Sequence, residues 1–358
     1  MSQENQQGSA STDSQIMRIL DANLNRATEG LRVAEEYTRF VLEDAFLSRQ
    51  LKELRHGITE AAKEHLSNLG PLSFRDVSHD VGTSISTDAE FRRGLPIEVA
   101  QASFKRTQQA IRNLEEYGKI ISPDFAGACE SIRYTSYTLE HVVIGTRDVN
   151  SRLAAARVYV LIDGKQDVES FEQEAEEIAS AADLIQLRDK KLTDAALLDR
   201  AKRLRAVTRN TACLFIMNDR PDIASLSAAD GVHLGQDELG VREARQILGE
   251  KPLIGISTHS IEQVRRAVLD GANYLGCGPV FSSTTKSFDA FPGTDFLRQA
   301  TQETTLPSFA IGGIGPENLD QVIDAGFRRI AIQGSVNHAT ISPREIILAM
   351  KAKLTLPV

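Results

Sequence analysis

The chain has 358 residues, 41% of them apolar and 25% charged, with a formal net charge of −8 at pH 7. That length accommodates two domains, or one barrel with an addition, in an ordinary soluble globular composition. The acidic balance argues against a nucleic-acid partner, and no apolar run approaches the roughly 18 residues of a membrane span. Cys129, Cys213 and Cys277 form no C-x-x-C pair and suggest neither a disulfide framework nor structural zinc, so a reducing cytoplasm is expected.

Residues 1–13 are rich in Ser, Gln and Asn, without a basic or apolar leader region, and are expected to be a disordered tail. From Gln15 to about Leu69, Ile16, Ile19, Leu24, Ala27, Leu31, Ala34 and Val41 follow helical spacing, and Gly70-Pro71 stops the pattern. Two further helical stretches run from about Ile97 to Ile121 and from about Phe125 to Ile144. Residues 14–150 are therefore expected to be an all-α domain. This part repeats itself: Arg26, Arg32, Glu35, Glu36 and Tyr37 recur 80 residues later as Arg106, Arg112, Glu115, Glu116 and Tyr117. The repeat has two readings. Arg–Glu pairs four residues apart fix how the helices pack or dimerise, which keeps a homo-oligomer open, or the four arginines face an anion in a shared pocket. The polar stretch Ser73–Ser84 between the repeats is read as a solvated loop, and no P-loop pattern is present.

The texture changes after the polar segment 145–152, and residues 151–358 are expected to form a second domain. Strand-like runs alternate with helical ones there: Val158–Ile162, Leu184–Leu187, Leu214–Met217, Gly231–Leu234, Leu253–Ile256, Tyr274–Gly276, Ser308–Ile311 and Arg329–Ile332. Eight β/α units over about 200 residues predict an α/β fold, a (β/α)₈ TIM barrel. The dinucleotide-binding alternative needs a G-x-G-x-x-G after the first strand, and Asp163-Gly164-Lys165-Gln166 does not supply it.

In such a barrel the reacting groups gather at the carboxyl ends of the strands. The second strand ends in Gln186-Leu187-Arg188-Asp189-Lys190, where alternation sends Gln186, Arg188 and Lys190 one way and Leu187 and Asp189 the other. An amide and two cations suit an anionic ligand that also carries a hydrogen-bonding ring. Other ends carry Asn218-Asp219-Arg220, His233 through Asp237, Ser257, the loop Gly276–Lys286, Gly312-Gly313 and Gln333-Gly334. Asp219 and Asp237, at neighbouring strand ends, suit one shared Mg²⁺, with Arg188, Lys190 and Lys286 neutralising the rest of a diphosphate. Gly312, Gly313 and Gly334 allow backbone N–H groups to approach a second phosphate. Each feature has an ordinary structural use: Asp219 as a helix cap before Pro221, the glycines as tight turns, His233 as a neutral strand histidine. Their conjunction at successive strand ends is what points to a site.

The motifs QLRDK, NDR, VHLGQDE, GIS, GPVFSSTTK and AIGGI, in this order across residues 155 to 355, resemble the thiamine-phosphate synthase family. The resemblance implies an Mg²⁺-assisted condensation of (4-amino-2-methyl-5-pyrimidinyl)methyl diphosphate with 4-methyl-5-(2-phosphoethyl)thiazole, releasing pyrophosphate. It implies that Gln186, Leu187, Arg188, Asp189, Lys190, Asn218, Ser257 and Lys286 line the pyrimidine diphosphate side, with Arg188, Lys190 and Lys286 acting on the departing group. Asp219 and Asp237 would hold the metal, and Ser283, Thr284, Thr285, Gly313, Gln333 and Gly334 the thiazole phosphate. Ser283 stands where the family commonly has Thr, and Gln333-Gly334 where it often has Ile-Ser. The N-terminal part resembles a helical domain that precedes this synthase in some bacteria and is proposed to act as a hydroxymethylpyrimidine-phosphate kinase. Rival readings are a sugar-phosphate isomerase or aldolase, for which no Lys inside a strand or Glu base at a strand end is well placed, and a binding regulator that has lost its chemistry. The presence of Lys190, Asp219 and Lys286 argues against the regulator.

Overall fold

The structure, a computed structural model, describes residues 2–66, 93–282, 292–333 and 341–355. The chain divides into two compact units, Met1–Ile144 and Gly145–Val358. The first is built on helices α1 (Ser2–Phe40), α2 (Ala45–Leu66), α3 (Pro96–Ile121) and α4 (Pro123–Leu153), the last continuing into the second unit. Helix α1 begins at Ser2, so the stretch expected as a tail carries helical backbone, in keeping with the straight-chain polar residues Gln3, Glu4, Gln6 and Gln7. The polar segment 145–152, expected as the boundary, lies within α4.

The helical pattern from Gln15 to Leu69 resolves into two helices. Glu43 adopts a left-handed φ of 54°, and the Asp44 carboxylate accepts from the Leu47 N–H at 2.9 Å, capping α2. An aspartate three residues before a buried leucine was the available sequence signal for this break. The unit packs Leu20, Ala27, Ile58, Ala110, Ile111, Leu114 and Phe125 into one core. The loop Ser73–Ser84 lies outside the described residues.

In the second unit eight parallel strands close in sequence order: β1 (Val158–Ile162), β2 (Leu184–Leu187), β3 (Leu214–Asn218), β4 (Gly231–Leu234), β5 (Leu253–Thr258), β6 (Tyr274–Cys277), β7 (Ser308–Ile311) and β8 (Ile330–Ile332). Helices α5 (Val168–Ala179), α6 (Asp194–Thr208), α7 (Pro221–Leu226), α8 (Val241–Leu248), α9 (Ile261–Leu269), α10 (Gly293–Glu303), α11 (Leu319–Asp324) and α12 (Pro343–Thr355) follow β1 to β8 in turn. Strands β1 and β2 are buried along their whole length, which explains the near-continuous Val, Ile and Leu of their sequences. Tyr159, Leu161, Leu184, Ile216, Leu253, Tyr274, Phe309 and Ala331 fill the barrel interior.

The amino ends of the strands are held by a recurring device. Asp183, just before β2, accepts from the Arg157 and Val158 N–H groups at 2.8 and 3.0 Å and pairs with Lys351 of α12 at 2.5 Å. Asp230, before β4, accepts from the Phe215 N–H at 2.8 Å and pairs with Arg205 of α6 at 2.7 Å. Asn273, before β6, accepts from the Ile254 N–H at 2.7 Å and from Arg245 of α8. Each acceptor satisfies an N–H at the start of the preceding strand and takes a cation from an outer helix, locking strand to strand and helix to barrel.

Candidate active site

At the carboxyl end of β2, Gln186 is buried inside the barrel and its Nε2 donates to the Tyr159 hydroxyl on β1. Arg188 is partly buried; its backbone N–H donates to Ile162 O at 2.8 Å, and among the described residues its guanidinium has no carboxylate partner. Lys190 is exposed over 57% of its side chain and reaches Asp219 Oδ2 at 3.2 Å and Glu238 Oε1 at 3.9 Å. Gln186 belongs to the strand, and Arg188 and Lys190 follow in the loop beyond its last residue, Leu187.

Leu187 and Asp189 are engaged within the fold. Leu187 is fully buried on the face of β2 opposite Gln186. Asp189 accepts from Gly164 N–H at 3.0 Å, Lys191 N–H at 2.7 Å and Leu192 N–H at 3.0 Å, tying the loops after β1 and β2 together. Burial pushes its carboxyl up, but those backbone bonds outweigh it, leaving it below the usual carboxylate range. Its side chain holds the loop that presents Arg188 and Lys190.

Asn218, at the end of β3, is buried, and Asp219 follows it at a left-handed φ of 60°, its N–H bonded to His233 O at 2.8 Å. That conformation turns the chain sharply at the strand end. Asp219 is not the helix cap: Arg220 occupies the N-cap of α7 with Pro221 beside it and pairs with Asp194 and Asp222, each at 2.6 Å. Asp237 is exposed and makes no ion pair among the described residues, whereas its neighbour Glu238 approaches Lys190. Glu238 was missed in the sequence because it lies one residue past the aspartate that motif order favoured. Gln236 Nε2 donates to Ser257 O at 2.5 Å, joining the β4 and β5 ends.

His233 and Ser257 meet inside the mouth of the barrel, His233 Nε2 lying 2.9 Å from Ser257 Oγ. The imidazole is buried, which depresses it to about 4 despite the opposing pull of Asp219, so it is neutral near pH 7. Gly255, in register between His233 and Tyr274, is required: a Cβ there would overlap the Tyr274 ring at 2.1 Å and His233 Nδ1 at 2.6 Å.

Across the mouth, Gly312 and Gly313 follow β7 at φ of 103° and 62°. A Cβ on Gly313 would meet Ser282 O at 2.5 Å, so only glycine lets this turn lie against the segment after β6. Gln333 directly follows β8. Ser283, Thr284, Thr285, Lys286 and Gly334 lie outside the described residues.

Among the described residues no group of three or more His, Cys, Asp or Glu is placed to hold a metal. A Mg²⁺ that keeps several waters and substrate phosphates needs only one or two carboxylates, which Asp219 with Asp237 or Glu238 supplies. The donor set therefore fits that ion.

A closed parallel (β/α)₈ barrel that carries two buried amides, a hydroxyl, Arg188 and Lys190 at the carboxyl ends of its strands has the architecture of a TIM-barrel enzyme, whose sites lie at that end. Residues 158–336 match the family model described as thiamine monophosphate synthase, and residues 18–142 match the ThiD2 family. The chain is 43% identical to thiamine-phosphate synthase of Rhodopirellula baltica, covering 95% of each chain. It is 42% identical to that of Gloeobacter violaceus, covering 88% of this chain and 91% of that one. Among solved structures, thiamine phosphate pyrophosphorylase from Pyrococcus furiosus is 32% identical at a TM-score of 0.49, over 57% of this chain and 97% of that one. The chain belongs to the thiamine-phosphate synthase family, and it is an enzyme.

Proposed function

We propose that the barrel mouth joins (4-amino-2-methyl-5-pyrimidinyl)methyl diphosphate to 4-methyl-5-(2-phosphoethyl)thiazole, giving thiamine phosphate and pyrophosphate. The observation that carries this reading is the presence of the buried amides Gln186 and Asn218, the Ser257 hydroxyl and the cations Arg188 and Lys190 at the carboxyl ends of β2, β3 and β5. Amides and a hydroxyl read a flat ring, and the cations face its diphosphate.

In the reaction the bond from the pyrimidine methylene to the diphosphate oxygen breaks, the electron pair leaving with pyrophosphate, and a bond from that carbon to the thiazole nitrogen forms. Arg188 and Lys190 place positive charge where the leaving group gains negative charge, and Lys286 on the loop after β6 is assigned the same work. Asp219 and Asp237, or Glu238 in its place, would hold Mg²⁺, which when bound neutralises diphosphate oxygens as a Lewis acid. The aminopyrimidine spreads the positive charge left on its methylene, and the thiazole nitrogen is already a free nucleophile. No protein base is needed, which suits a His233 that is neutral and enclosed.

The turn at Gly312-Gly313, Gln333 and the segment Ser283–Thr285 with Gly334 are assigned to the thiazole phosphate. The buried free thiols Cys129, Cys213 and Cys277 suit a reducing cytoplasm, and no described helix is long and apolar enough to cross a membrane. For the helical unit the packing reading is favoured, because Arg32 pairs with Glu36 at 3.2 Å and Arg112 with Glu115 and Glu116 at 2.8 and 2.7 Å.

Measuring thiamine phosphate and pyrophosphate from both substrates across a Mg²⁺ titration tests the assignment. Equal amounts of the two products are expected, and Asp219→Asn should lower the rate by at least about 10²-fold with its melting temperature little changed. A wild-type rate for the variant throughout the titration contradicts the metal assignment; no product from the wild-type chain contradicts the reaction.

A further inference from the structure

Five polar side chains from five strands form one line through the barrel interior. Gln186 Nε2 on β2 meets the Tyr159 hydroxyl on β1, which lies 3.2 Å from the Tyr274 hydroxyl on β6. Tyr274 Oη lies 3.2 Å from His233 Nδ1 on β4, and His233 Nε2 lies 2.9 Å from Ser257 Oγ on β5. Tyr159 and Tyr274 pack edge on with each other and with Phe309, ring centroids 5.4 to 6.0 Å apart, and His233 lies edge on to Tyr159 at 6.4 Å and tilted to Tyr274 at 5.5 Å, so the line is enclosed by aromatic walls.

Proton counting gives this line a direction. A phenol has one proton, and a neutral imidazole donates from one nitrogen and accepts at the other. With the Gln186 amide donating to Tyr159, the Tyr159 proton goes to Tyr274 and the Tyr274 proton to His233 Nδ1. His233 then carries its proton on Nε2 and donates to Ser257 Oγ. The Ser257 hydroxyl proton is left pointing out of the line, and at the other end the Gln186 carbonyl oxygen is left uncommitted by it.

We propose that Tyr159, Tyr274 and His233 are positioning residues: a one-way hydrogen-bond relay that fixes Gln186 as an acceptor and Ser257 as a donor toward the bound ring. This rests on the function proposed above and deepens it. The site then selects a heterocycle that offers an N–H donor to Gln186 and a ring-nitrogen acceptor to Ser257, the edge pattern of an aminopyrimidine. An oxo group in place of the amino group puts acceptor against acceptor, which a site built to accept a proton rejects strongly.

The relay is read directly by nitrogen NMR of the full-length chain labelled in histidine, with His233→Gln identifying the His233 signal among the seven histidines. The expected state at pH 7 is neutral with the proton on Nε2. A proton on Nδ1, which means the line runs the other way, or a charged ring overturns the proposal whether or not the chain makes thiamine phosphate. Steady-state kinetics supplies the second readout. Tyr274→Phe keeps the ring and cuts the line, so KM for the pyrimidine diphosphate should rise about tenfold while KM for the thiazole phosphate stays within twofold. Tyr159→Phe, cutting the line at its other end, should do the same. No change in either KM, or equal rises in both, overturns the proposal. A wild-type chain with the Nε2 tautomer but no synthase activity would leave the relay standing and remove the proposed reaction.

Discussion

The device at the strand starts and the cations that follow β2 treat charge in opposite ways. At the amino end every cation of the recurring device has an acceptor built for it: Lys351 on Asp183, Arg205 on Asp230 and Arg245 on Asn273, each acceptor also holding a strand N–H. At the carboxyl end Arg188 has no carboxylate partner among the described residues, and Lys190 is largely in solvent while it leans on Asp219. Folding alone explains the first arrangement, since its partners all lie within the chain. The second leaves the Arg188 charge unmatched within the described chain, the charge that the proposed diphosphate would meet. The helical unit resembles the amino end: Glu35 is held by Arg55 at 3.1 Å, and the buried Glu115 by Arg133 at 2.8 Å.

Changes on the self-satisfied side should therefore cost stability and spare the reaction, and the sizes can be ordered. The largest expected effect comes from acid. His233 titrates near 6.5 when unfolded and about 4 when folded, so between those values the unfolded chain binds more protons and stability falls as pH drops. About 3 kcal/mol should be lost by pH 4, all of it present above pH 6.5. Denaturant melts of wild type and His233→Gln across that range check this: the variant should lose less, and an identical pH dependence would show that this histidine is charged in the fold.

A smaller effect is expected at the amino end. Asp230→Ala strands the Phe215 N–H and Arg205 together and should cost about 1–3 kcal/mol, with kcat unchanged. A loss of rate as large as the loss of stability would blur the distinction between the two ends. The smallest effect belongs to the exposed helix pair. Arg32→Ala should cost less than about 0.5 kcal/mol and leave KM for both substrates unchanged. Specific binding of a nucleotide or pyrimidine monophosphate through Arg32 and Arg112, seen by calorimetry, would instead restore the anion-pocket reading of the repeat.

Much of the barrel is legible in the sequence because each strand is a short apolar run between helical patterns, and Gln186, expected at the end of the second strand, lies buried there. Strand ends extend a little further than the apolar runs, as at Asn218 and Thr258, because backbone pairing continues where side chains turn polar. Less legible is the interior line. Tyr159 within β1 and Tyr274 at the start of β6 lie beside apolar residues and look like core; only closure of the sheet brings β1 beside β8 and turns both hydroxyls toward one point. The use of Asp189 was equally hidden, since a carboxylate that holds backbone N–H groups and one that holds a ligand have the same sequence appearance.

The contrast between the two barrel ends is tested most directly by one pair of variants in the full-length chain. Rates of pyrophosphate release at saturating substrates and Mg²⁺, together with melting temperatures, should be measured for Arg188→Gln and Arg205→Gln. Arg188→Gln is predicted to slow release by about 10²-fold or more with its melting temperature held, and Arg205→Gln to lower the melting temperature with release within about twofold of wild type. The reverse pattern, or an Arg188→Gln variant that turns over as fast as wild type, would contradict the assignment of the carboxyl mouth as the reacting end.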